Sequence, residues 1–270
     1  MFPYFTVFGK MITTYFLLSL IGVFVAGIFT CHLARKRVGD DNDTIIVLLF
    51  SSIGVILGGH LLYGLTNIRF IPTLFTAETV DQLIERAVTV FGGSVFYGGL
   101  FGAILVATIA IRAQKLNFSV YSDMLTLAIP LFHSFARCGC FFSGCCYGIE
   151  CDFGITVTGN TLVPQINDVP RFPVQLLEAV LNILLFAVLY GLYKKSLTTH
   201  TALQGKLLPI YLLSYSVIRF FDEFLRGDDI RGFIFGLSTS QFISIFLFAI
   251  SSIILIKSTI HTSHKKEISR

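Results

Sequence analysis

Long apolar segments separated by short polar connections make up most of this 270-residue chain. A helix needs about 20 predominantly apolar residues to cross about 30 Å of hydrocarbon. Seven segments reach roughly this length: Ile12–Ala34, Thr44–Leu65, Val90–Ile111, Met124–Cys145, Val174–Tyr193, Leu207–Leu225 and Gly232–Ile256. The pattern predicts an all-α, polytopic membrane helix bundle of seven transmembrane helices in a single domain, residues 1–270. The fourth and sixth segments each contain an arginine, so we expect broken or interior helices there.

The composition agrees with a membrane protein and disfavours a soluble one. Charged residues make up 13% of the chain, whereas a soluble domain usually carries about 25%. The mean hydropathy is +0.78. We therefore expect the lipid bilayer, and not nucleic acid, as a partner. The first apolar segment is too long for a cleavable signal peptide, and no small-residue cleavage site follows it.

Lysine and arginine are distributed unequally between the two sides of the predicted bundle. One set of connections carries 12 of them and the other carries six, including Arg226 and Arg231. Because cytoplasmic connections are enriched in these residues, the N-terminus is predicted outside. The C-terminus, with a tail of residues 257–270, is predicted to be cytoplasmic.

Two long connections fall on the predicted outer side. Residues 66–89 include TAETVDQLIERAVTVF, which is compatible with a short amphipathic helix at the membrane surface. Residues 146–173 are rich in turn formers and β-branched residues. This composition predicts an ordered extracytoplasmic head loop, with a hairpin as one form that it can take.

Ionisable residues inside the apolar segments are the first candidates for function, because lipid does not tolerate them. They are His60, His133, Arg137, Glu178, Arg219, Asp222 and Glu223, with Arg226 at a helix end. One interpretation is that these are buried ion pairs that fix helix packing. The other is that guanidinium groups left over from such pairs bind a phosphate, which arginine recognises bidentately.

The sixth segment, within IRFFDEFLRGDDIRG, favours the second interpretation. Arg219, Glu223 and Arg226 are spaced i, i+4 and i+7, which places them on one face of a continuous helix. Glu223 is then able to pair with both arginines. With Arg137, the chain offers two or three arginines towards the outer half of the membrane, where a phospholipid phosphate lies.

Several motifs, in order, resemble the prolipoprotein diacylglyceryl transferase family. GGSVFYGGLFG, ARCGCFFSGCCYG, RFPVQLLEAVLNILLF, RFFDEFLRGDD and LSTSQFISI each resemble a family segment. Their order and spacing agree with the family from about residue 15 to 256, and seven spans with the N-terminus outside is also the family topology. The resemblance implies transfer of diacylglyceryl from phosphatidylglycerol to the lipobox cysteine thiol of a prolipoprotein. It also implies release of glycerol phosphate at the bacterial cytoplasmic membrane, with no metal or organic cofactor.

The resemblance also implies roles for individual residues. The catalytic candidates are Tyr97, Arg137 and Arg226, of which the two arginines hold the donor phosphate. The substrate-binding candidates are Gly98, Gly99, Arg137, Cys140, Gly144, Gly148, Arg219, Glu223 and Arg226. His133, Gln175 and Glu178 are expected to support this set.

Four positions depart from the family pattern that the resemblance implies. Tyr97 replaces a histidine, Cys140 and Ser143 each replace an asparagine, and Cys145 replaces an acidic residue. Tyrosine, with a reference pKa near about 10, is a poorer base than histidine but a good hydrogen-bond donor. Three hypotheses therefore remain: a lipobox transferase, a phospholipid-binding membrane protein without this chemistry, and a related transferase with another acceptor.

Five of the six cysteines fall within residues 138–151. They are compatible with apolar packing, or with a disulfide of Cys151 with Cys145 or Cys146. A metal or redox site is the third interpretation, but the spacing C-x-C-x4-C-C-x4-C does not match a zinc pattern. We therefore assign no metal ligands. A thiol beside Arg137 makes Cys140 a fallback nucleophile.

Overall fold

A computed structural model describes residues 2–7, 9–198, 203–228, 232–234 and 236–268. Its α-helices are α1 Thr14–Val38, α2 Asn42–Thr66, α3 Ile71–Leu74, α4 Val80–Phe91, α5 Phe96–Ala113, α6 Phe118–Ser143, α7 Val174–Thr198, α8 Leu207–Asp222 and α9 Thr239–Ile268. The strands form three antiparallel pairs: β1 Tyr4–Val7 with β2 Lys10–Thr13, β3 Glu150–Thr156 with β4 Pro170–Arg171, and β5 Phe233–Ile234 with β6 Leu237–Ser238.

Six helices in the described part of the chain are long and apolar enough to cross a membrane, namely α1, α2, α5, α6, α7 and α9. The prediction of a polytopic helical membrane protein is thereby confirmed. The remaining predicted segment, Leu207–Leu225, forms α8 and a following 3-10 turn at Glu223–Leu225. At 16 residues, α8 is shorter than the other six, so the count of seven spans stays a prediction.

Three predicted helix starts are wrong: the fourth helix begins at Phe118 and not at Met124, and local features explain the other two. The third helix begins at Phe96 and not at Val90, because α4 ends at Phe91 and a break follows at Gly92 and Gly93. The last helix begins at Thr239 and not at Gly232. Ser238 and Gln241 form a reciprocal capping box there: the Ser238 Oγ accepts from the Gln241 N–H at 3.2 Å, and the Gln241 Oε1 accepts from the Ser238 N–H at 3.0 Å.

The chain forms two compact units, Ala34–Tyr121 and the combination of Met1–Leu33 with Ser122–Arg270. In the unit Ala34–Tyr121, α2 packs against α5 through glycines. A Cβ at Gly58 would collide with the Gly98 carbonyl oxygen, and one at Gly102 with that of Gly54. These glycines therefore permit the close approach of the two helix backbones.

In the other unit, α8 packs against α7 and α9, and α1 packs against α6. A Cβ at Gly22 would lie 2.8 Å from the Phe135 Cβ, and one at Gly139 would lie 3.0 Å from the Tyr15 Cα. Helix α6 is continuous through Pro130 and is the most buried of the six long helices. An interior position, one of the two expectations for this arginine-containing segment, is thus confirmed.

The two long connections contain the elements that their composition indicates. Helix α4 lies at the end of residues 66–89 and begins at the N-cap Thr79, whose side chain accepts from the Gln82 N–H. Residues 146–173 contain the pair β3–β4. The predicted tail begins inside α9, which continues to Ile268. Arg231 and Arg270, which entered the charge count, lie outside the described residues.

Candidate active site

A buried carboxylate, Glu178, lies at the centre of the candidate site. Its side chain is about 1% exposed, and its oxygens face residues from two other helices. The Arg137 Nη2 of α6 lies 2.8 Å from Oε2, and the Arg219 Nη1 of α8 lies 3.5 Å from the same oxygen. The other oxygen, Oε1, accepts from the Tyr215 hydroxyl at 3.3 Å. One carboxylate of α7 thus holds two guanidinium groups that sequence alone does not pair.

His133 belongs to the same cluster. It precedes Arg137 by one helical turn, and its Nε2 lies 3.6 Å from the Glu178 Oε1. Its ring meets the ring of Tyr215 edge-on, with centroids 5.3 Å apart. His133 therefore lies beside the carboxylate that holds Arg137.

Arg219 is held from three sides. In addition to Glu178, its Nη2 lies 2.6 Å from the Glu223 Oε2 and donates to the Ser240 Oγ at 3.3 Å. Glu223 is the predicted i+4 partner, so this half of the sixth-segment prediction is confirmed. Because Ser240 opens α9, the contact also attaches the start of that helix to the cluster.

The predicted common helical face for Arg226 is wrong. Helix α8 ends at Asp222, a single 3-10 turn follows, and Arg226 is extended with φ −82° and ψ 137°. Its Nε donates to the Asp228 Oδ1 at 2.7 Å, and its Nη2 donates to Oδ2. Arg226 is therefore oriented by Asp228, a bidentate partner two residues further along the chain.

Electrostatics around Arg226 favour its charged form. Burial works against the charge, but Cys146 and Asp228 nearby hold the pKa of Arg226 above its ordinary value. Arg226 is about 9% exposed, and its bidentate carboxylate partner, Asp228, fixes the plane of the guanidinium. A rigid, charged fork of this kind suits an anionic ligand.

The segment that carries Gly148 joins Arg226 to the head loop. Gly148 forms an antiparallel bridge with Arg226, and the Gly227 N–H donates to the Tyr147 carbonyl at 2.9 Å. A Cβ at Gly148 would collide with the Phe172 carbonyl oxygen and would lie 3.1 Å from that of Leu225. Only glycine fits where these three segments meet.

We expect Gly148→Ala to destabilise the protein by about 1–3 kcal/mol, because the added methyl group forces backbone segments apart. The measurement is the unfolding temperature of the purified protein in detergent. Gly191→Ala in α7 is the matched control, since a Cβ there meets no atom within 4 Å. An equal drop in unfolding temperature for both variants would show that crowding at Gly148 does not destabilise the protein.

The turn after α6 contains the other candidate binding residues. Gly144 has φ +81°, a conformation that glycine adopts without strain. The Gln175 Nε2 donates to the Cys145 carbonyl at 2.9 Å, which links the start of α7 to this turn. Gln175 therefore positions the turn through its backbone, in agreement with a supporting role.

Asn160 organises the head loop and was missed by sequence reasoning. Its Nδ2 donates to the Ser143 carbonyl at 3.2 Å, and its Oδ1 accepts from the backbone N–H groups of Leu162 and Val163. Asn167 in turn holds Asn160, because the Asn167 Nδ2 donates to the Asn160 carbonyl at 2.9 Å. Asn160 is about 2% exposed. Its place in a polar loop gave no signal of this burial.

Tyr215, Asp228 and Ser240 were also missed as members of the candidate site. Tyr215 and Ser240 carry hydroxyl groups on apolar helices, a pattern shared by many packing residues. Asp228 follows Arg226 closely in RGDD, which was the one available signal. Each acts by holding an ionised partner in place: Tyr215 holds Glu178, Asp228 holds Arg226 and Ser240 holds Arg219.

The thiol of Cys140 lies close to the arginine cluster. The Arg137 Nη1 is 4.0 Å from the Cys140 Sγ. Cys145, Cys146 and Cys151 are thiols in the structure, so it contains no disulfide between Cys151 and Cys145 or Cys146. The structure thus places a thiol next to the guanidinium that the sequence motif singled out.

Tyr97, Gly98 and Gly99 belong to the unit Ala34–Tyr121. All three are buried in the first turn of α5. The Tyr97 ring stacks on Phe101 with centroids 6.2 Å apart. Gly98 lies against Gly58, and a Cβ at Gly99 would lie 3.2 Å from the Val55 carbonyl oxygen. Helix packing is therefore a demonstrated role for both glycines.

The arrangement can bind and stabilise anionic charge. Two of its arginines, Arg137 and Arg219, share one carboxylate, and the buried Nε of Arg137 makes no hydrogen bond to the described residues. A guanidinium N–H in a buried site is a strong donor for a phosphate oxygen. The geometry therefore supports an anion site next to a thiol-bearing turn.

Comparison with known proteins identifies relatives over nearly the whole chain. The model of a family described as prolipoprotein diacylglyceryl transferase matches residues 3–257. A phosphatidylglycerol–prolipoprotein diacylglyceryl transferase 2 of Clostridium perfringens is 32% identical over 246 residues, covering 89% of each chain. A phosphatidylglycerol–prolipoprotein diacylglyceryl transferase of Bordetella parapertussis is 33% identical over 241 residues, covering 86% of this chain and 85% of the relative.

Proposed function

Because the chain belongs to the prolipoprotein diacylglyceryl transferase family, we propose that it transfers a diacylglyceryl group from phosphatidylglycerol to a lipobox cysteine of a prolipoprotein. The observation that carries the proposal for this chain is the buried cluster of Glu178 with Arg137 and Arg219. The cluster is buried between α6, α7 and α8, and we propose that its arginines bind the phosphate of the lipid donor.

The reaction makes a C–S bond and breaks a C–O bond and an S–H bond. The acceptor sulfur attacks the glyceryl carbon that carries the phosphate ester, and the C–O bond to that phosphate breaks. Glycerol phosphate leaves with the bonding electrons, and the thiol proton is released to solvent. Negative charge therefore develops on the phosphate oxygen, where fixed cationic donors stabilise the transition state most effectively.

Arg137 is proposed to hold the donor phosphate. Glu178 engages its Nη2, while the buried Nε has no hydrogen-bond partner among the described residues. The carboxylate thus fixes the guanidinium and leaves an N–H for the ligand. Fixed donors of this kind need no reorganisation as charge develops.

Arg226 is proposed as the second phosphate-binding arginine. Asp228 occupies the Nε and Nη2 edge of its guanidinium and sets its plane, and the bridge to Gly148 sets its backbone. Gly144 and Gly148 are proposed to let the lipid approach this turn closely. Cys140 borders the same region through its contact with Arg137.

The remaining charged residues are proposed to position these two arginines. Glu178, Arg219 and Glu223 form a continuous chain of ion pairs from α7 to the 3-10 turn. His133 supports Glu178, and Gln175 holds the turn at Cys145. None of these contacts requires a metal or an organic cofactor.

Tyr97 is proposed to donate a hydrogen bond to an oxygen of the lipid donor, as its place in GGSVFYGGLFG suggests. Tyr97→Phe is then expected to lower kcat/KM by about 3- to 10-fold, since one hydrogen bond contributes about 0.5–1.5 kcal/mol. The check is the initial rate of peptide lipidation. Tyr63→Phe in α2, where the Tyr63 ring packs against Gly93, serves as the control. A full rate for Tyr97→Phe would exclude a role for the hydroxyl.

We also propose a topology for the chain in the membrane. The chain crosses the bacterial plasma membrane seven times, with its N-terminus outside and its C-terminus in the cytoplasm. The uneven distribution of lysine and arginine supports this orientation, with Arg35, Lys36 and Arg37 at the end of α1 as its densest cluster. Labelling of single cysteines in intact cells would test each connection.

The function is tested with purified protein in liposomes that contain phosphatidylglycerol. A lipobox peptide is expected to gain the mass of one diacylglyceryl group and to release one equivalent of glycerol phosphate. A peptide with serine in place of the lipobox cysteine is the control for the acceptor. Liposomes of phosphatidylcholine are the control for the donor.

Two other outcomes would replace the proposal, and the cysteines at positions 140 and 145 motivate both. Glycerol phosphate release that the lipobox peptide does not stimulate would indicate a transferase with another acceptor. Phosphatidylglycerol that co-purifies with the protein, without release of glycerol phosphate, would indicate a lipid-binding protein. Either result would contradict transfer to a lipobox thiol.

A further inference from the structure

Three cysteines converge at the turn that follows α6. The Sγ atoms of Cys140, Cys145 and Cys146 all lie within 4.8 Å of one another. Cys140 belongs to the last turn of the helix and is buried, whereas the other two are half-buried. None of the contacts proposed for diacylglyceryl transfer involves all three thiols, so the proposed function does not explain why they lie together.

The backbone of the turn produces this convergence. Gly144 has φ +81° and Cys146 has φ +56°, so two left-handed residues flank Cys145. This conformation turns the chain back, and the Cys145 thiol donates to the Cys140 carbonyl at 3.7 Å. Two consecutive cysteines thereby face the same helix end, an arrangement that the linear spacing does not reveal.

We propose that Cys140, Cys145 and Cys146 form a binding site for one thiophilic d10 metal ion, Zn²⁺ or Cu⁺. A Zn–S bond of about 2.3 Å places two sulfur atoms of a tetrahedral site about 3.8 Å apart. The observed separations need to shrink by no more than about 1 Å to reach this value. Soft thiolate ligands select these two ions over harder divalent cations.

Charge balance supports the site. Binding releases three thiol protons to solvent, and three thiolates on Zn²⁺ carry one net negative charge. The Arg137 Nη1, 4.0 Å from the Cys140 Sγ, is placed to offset it. Three protein ligands also leave one position of a tetrahedral ion open, as three-ligand zinc sites in other proteins do.

The neighbouring cysteines provide matched controls. Cys138 and Cys151 lie on either side of the cluster, and both are half-buried free thiols outside it. If the three named cysteines are the ligands, serine at Cys138 or Cys151 leaves binding unchanged. Serine at any of the three removes a ligand.

The test uses the full-length protein in detergent with a reductant, after mass spectrometry of alkylated protein has shown six free thiols. Zn²⁺ and Cu⁺ are titrated separately, and bound metal is measured by elemental analysis after equilibrium dialysis. We expect one ion per chain. Loss of an outer-shell partner weakens metal affinity by roughly 10- to 100-fold. Each of Cys140→Ser, Cys145→Ser and Cys146→Ser removes a direct ligand, so we expect a larger loss of metal affinity in each variant.

A second measurement needs only the unmodified chain, so it holds even where a variant does not fold. Bound metal is expected to protect Cys140, Cys145 and Cys146 from alkylation while Cys138 and Cys151 still react. Absence of binding by the reduced chain, or unchanged affinity in the three serine variants, would overturn the proposal. Neither readout depends on transferase activity, so failure of the proposed function leaves this test intact.

Discussion

Arg137→Ala is expected to reduce kcat for peptide lipidation by about 10²- to 10³-fold, the typical cost of losing one fixed donor to a developing negative charge. The reason lies in the geometry of this residue. Glu178 holds its Nη2 at 2.8 Å, and the buried Nε makes no hydrogen bond to the described residues. The measurement is the single-turnover rate of diacylglyceryl transfer in liposomes with saturating phosphatidylglycerol.

The controls for Arg137→Ala separate charge, shape and folding. Arg137→Lys keeps the charge but loses the planar fork, so we expect a rate between those of the alanine variant and the unmodified chain. Arg69→Ala removes an arginine from the other compact unit and is expected to leave the rate unchanged. A full rate for folded Arg137→Ala would remove this residue from the phosphate site.

Glu178→Ala is expected to lower the free energy of unfolding by about 3–5 kcal/mol, because removal of one partner leaves buried charges uncompensated. Arg137 and Arg219 both contact the Glu178 Oε2, and the carboxylate is about 1% exposed. Alanine leaves both guanidinium groups without this partner and also ends the hydrogen bond from Tyr215. The measurement is reversible unfolding of the purified protein in mixed micelles.

The pair of Glu150 and Arg171, whose carboxylate faces solvent, gives the matched control. Its closest atoms are 2.9 Å apart, almost as in the buried pair, but Glu150 is about 67% exposed. Since water screens such a pair, Glu150→Ala is expected to cost only about 0–1 kcal/mol. Equal losses for Glu150→Ala and Glu178→Ala would contradict a stability role for burial of the Glu178 cluster.

The sequence predicted a helix well where the length of an apolar run determines it. An uninterrupted apolar run that is long enough to cross lipid forms a helix because its backbone groups must satisfy one another. Helices α1, α2 and α7 accordingly lie close to the predicted segments, whereas α6 begins at Phe118 and not at the predicted Met124. The starts of α5 and α9 were predicted too early. A glycine break decides the first start and a capping box decides the second, and apolar content reports neither feature.

The sequence predicted which residues form the candidate site, but not which of their charged side chains pair with each other. The motifs singled out Arg137, Glu178, Arg219 and Glu223, and the structure brings these four side chains together. The i, i+4 spacing correctly paired Arg219 with Glu223. The same reasoning failed for Arg226, because α8 ends before this residue and Asp228 becomes its partner.

The sequence by itself determined that this protein is a helical membrane protein of a known transferase family, and it determined which charged residues lie within its apolar segments. Both follow from local features, the length of apolar runs and the order of short motifs. Only the tertiary structure decided that Glu178 of α7 holds arginines from α6 and α8, and that three cysteines meet at one turn. These contacts depend on where helices end and on how they pack, and no periodicity along the chain encodes a distance between two helices.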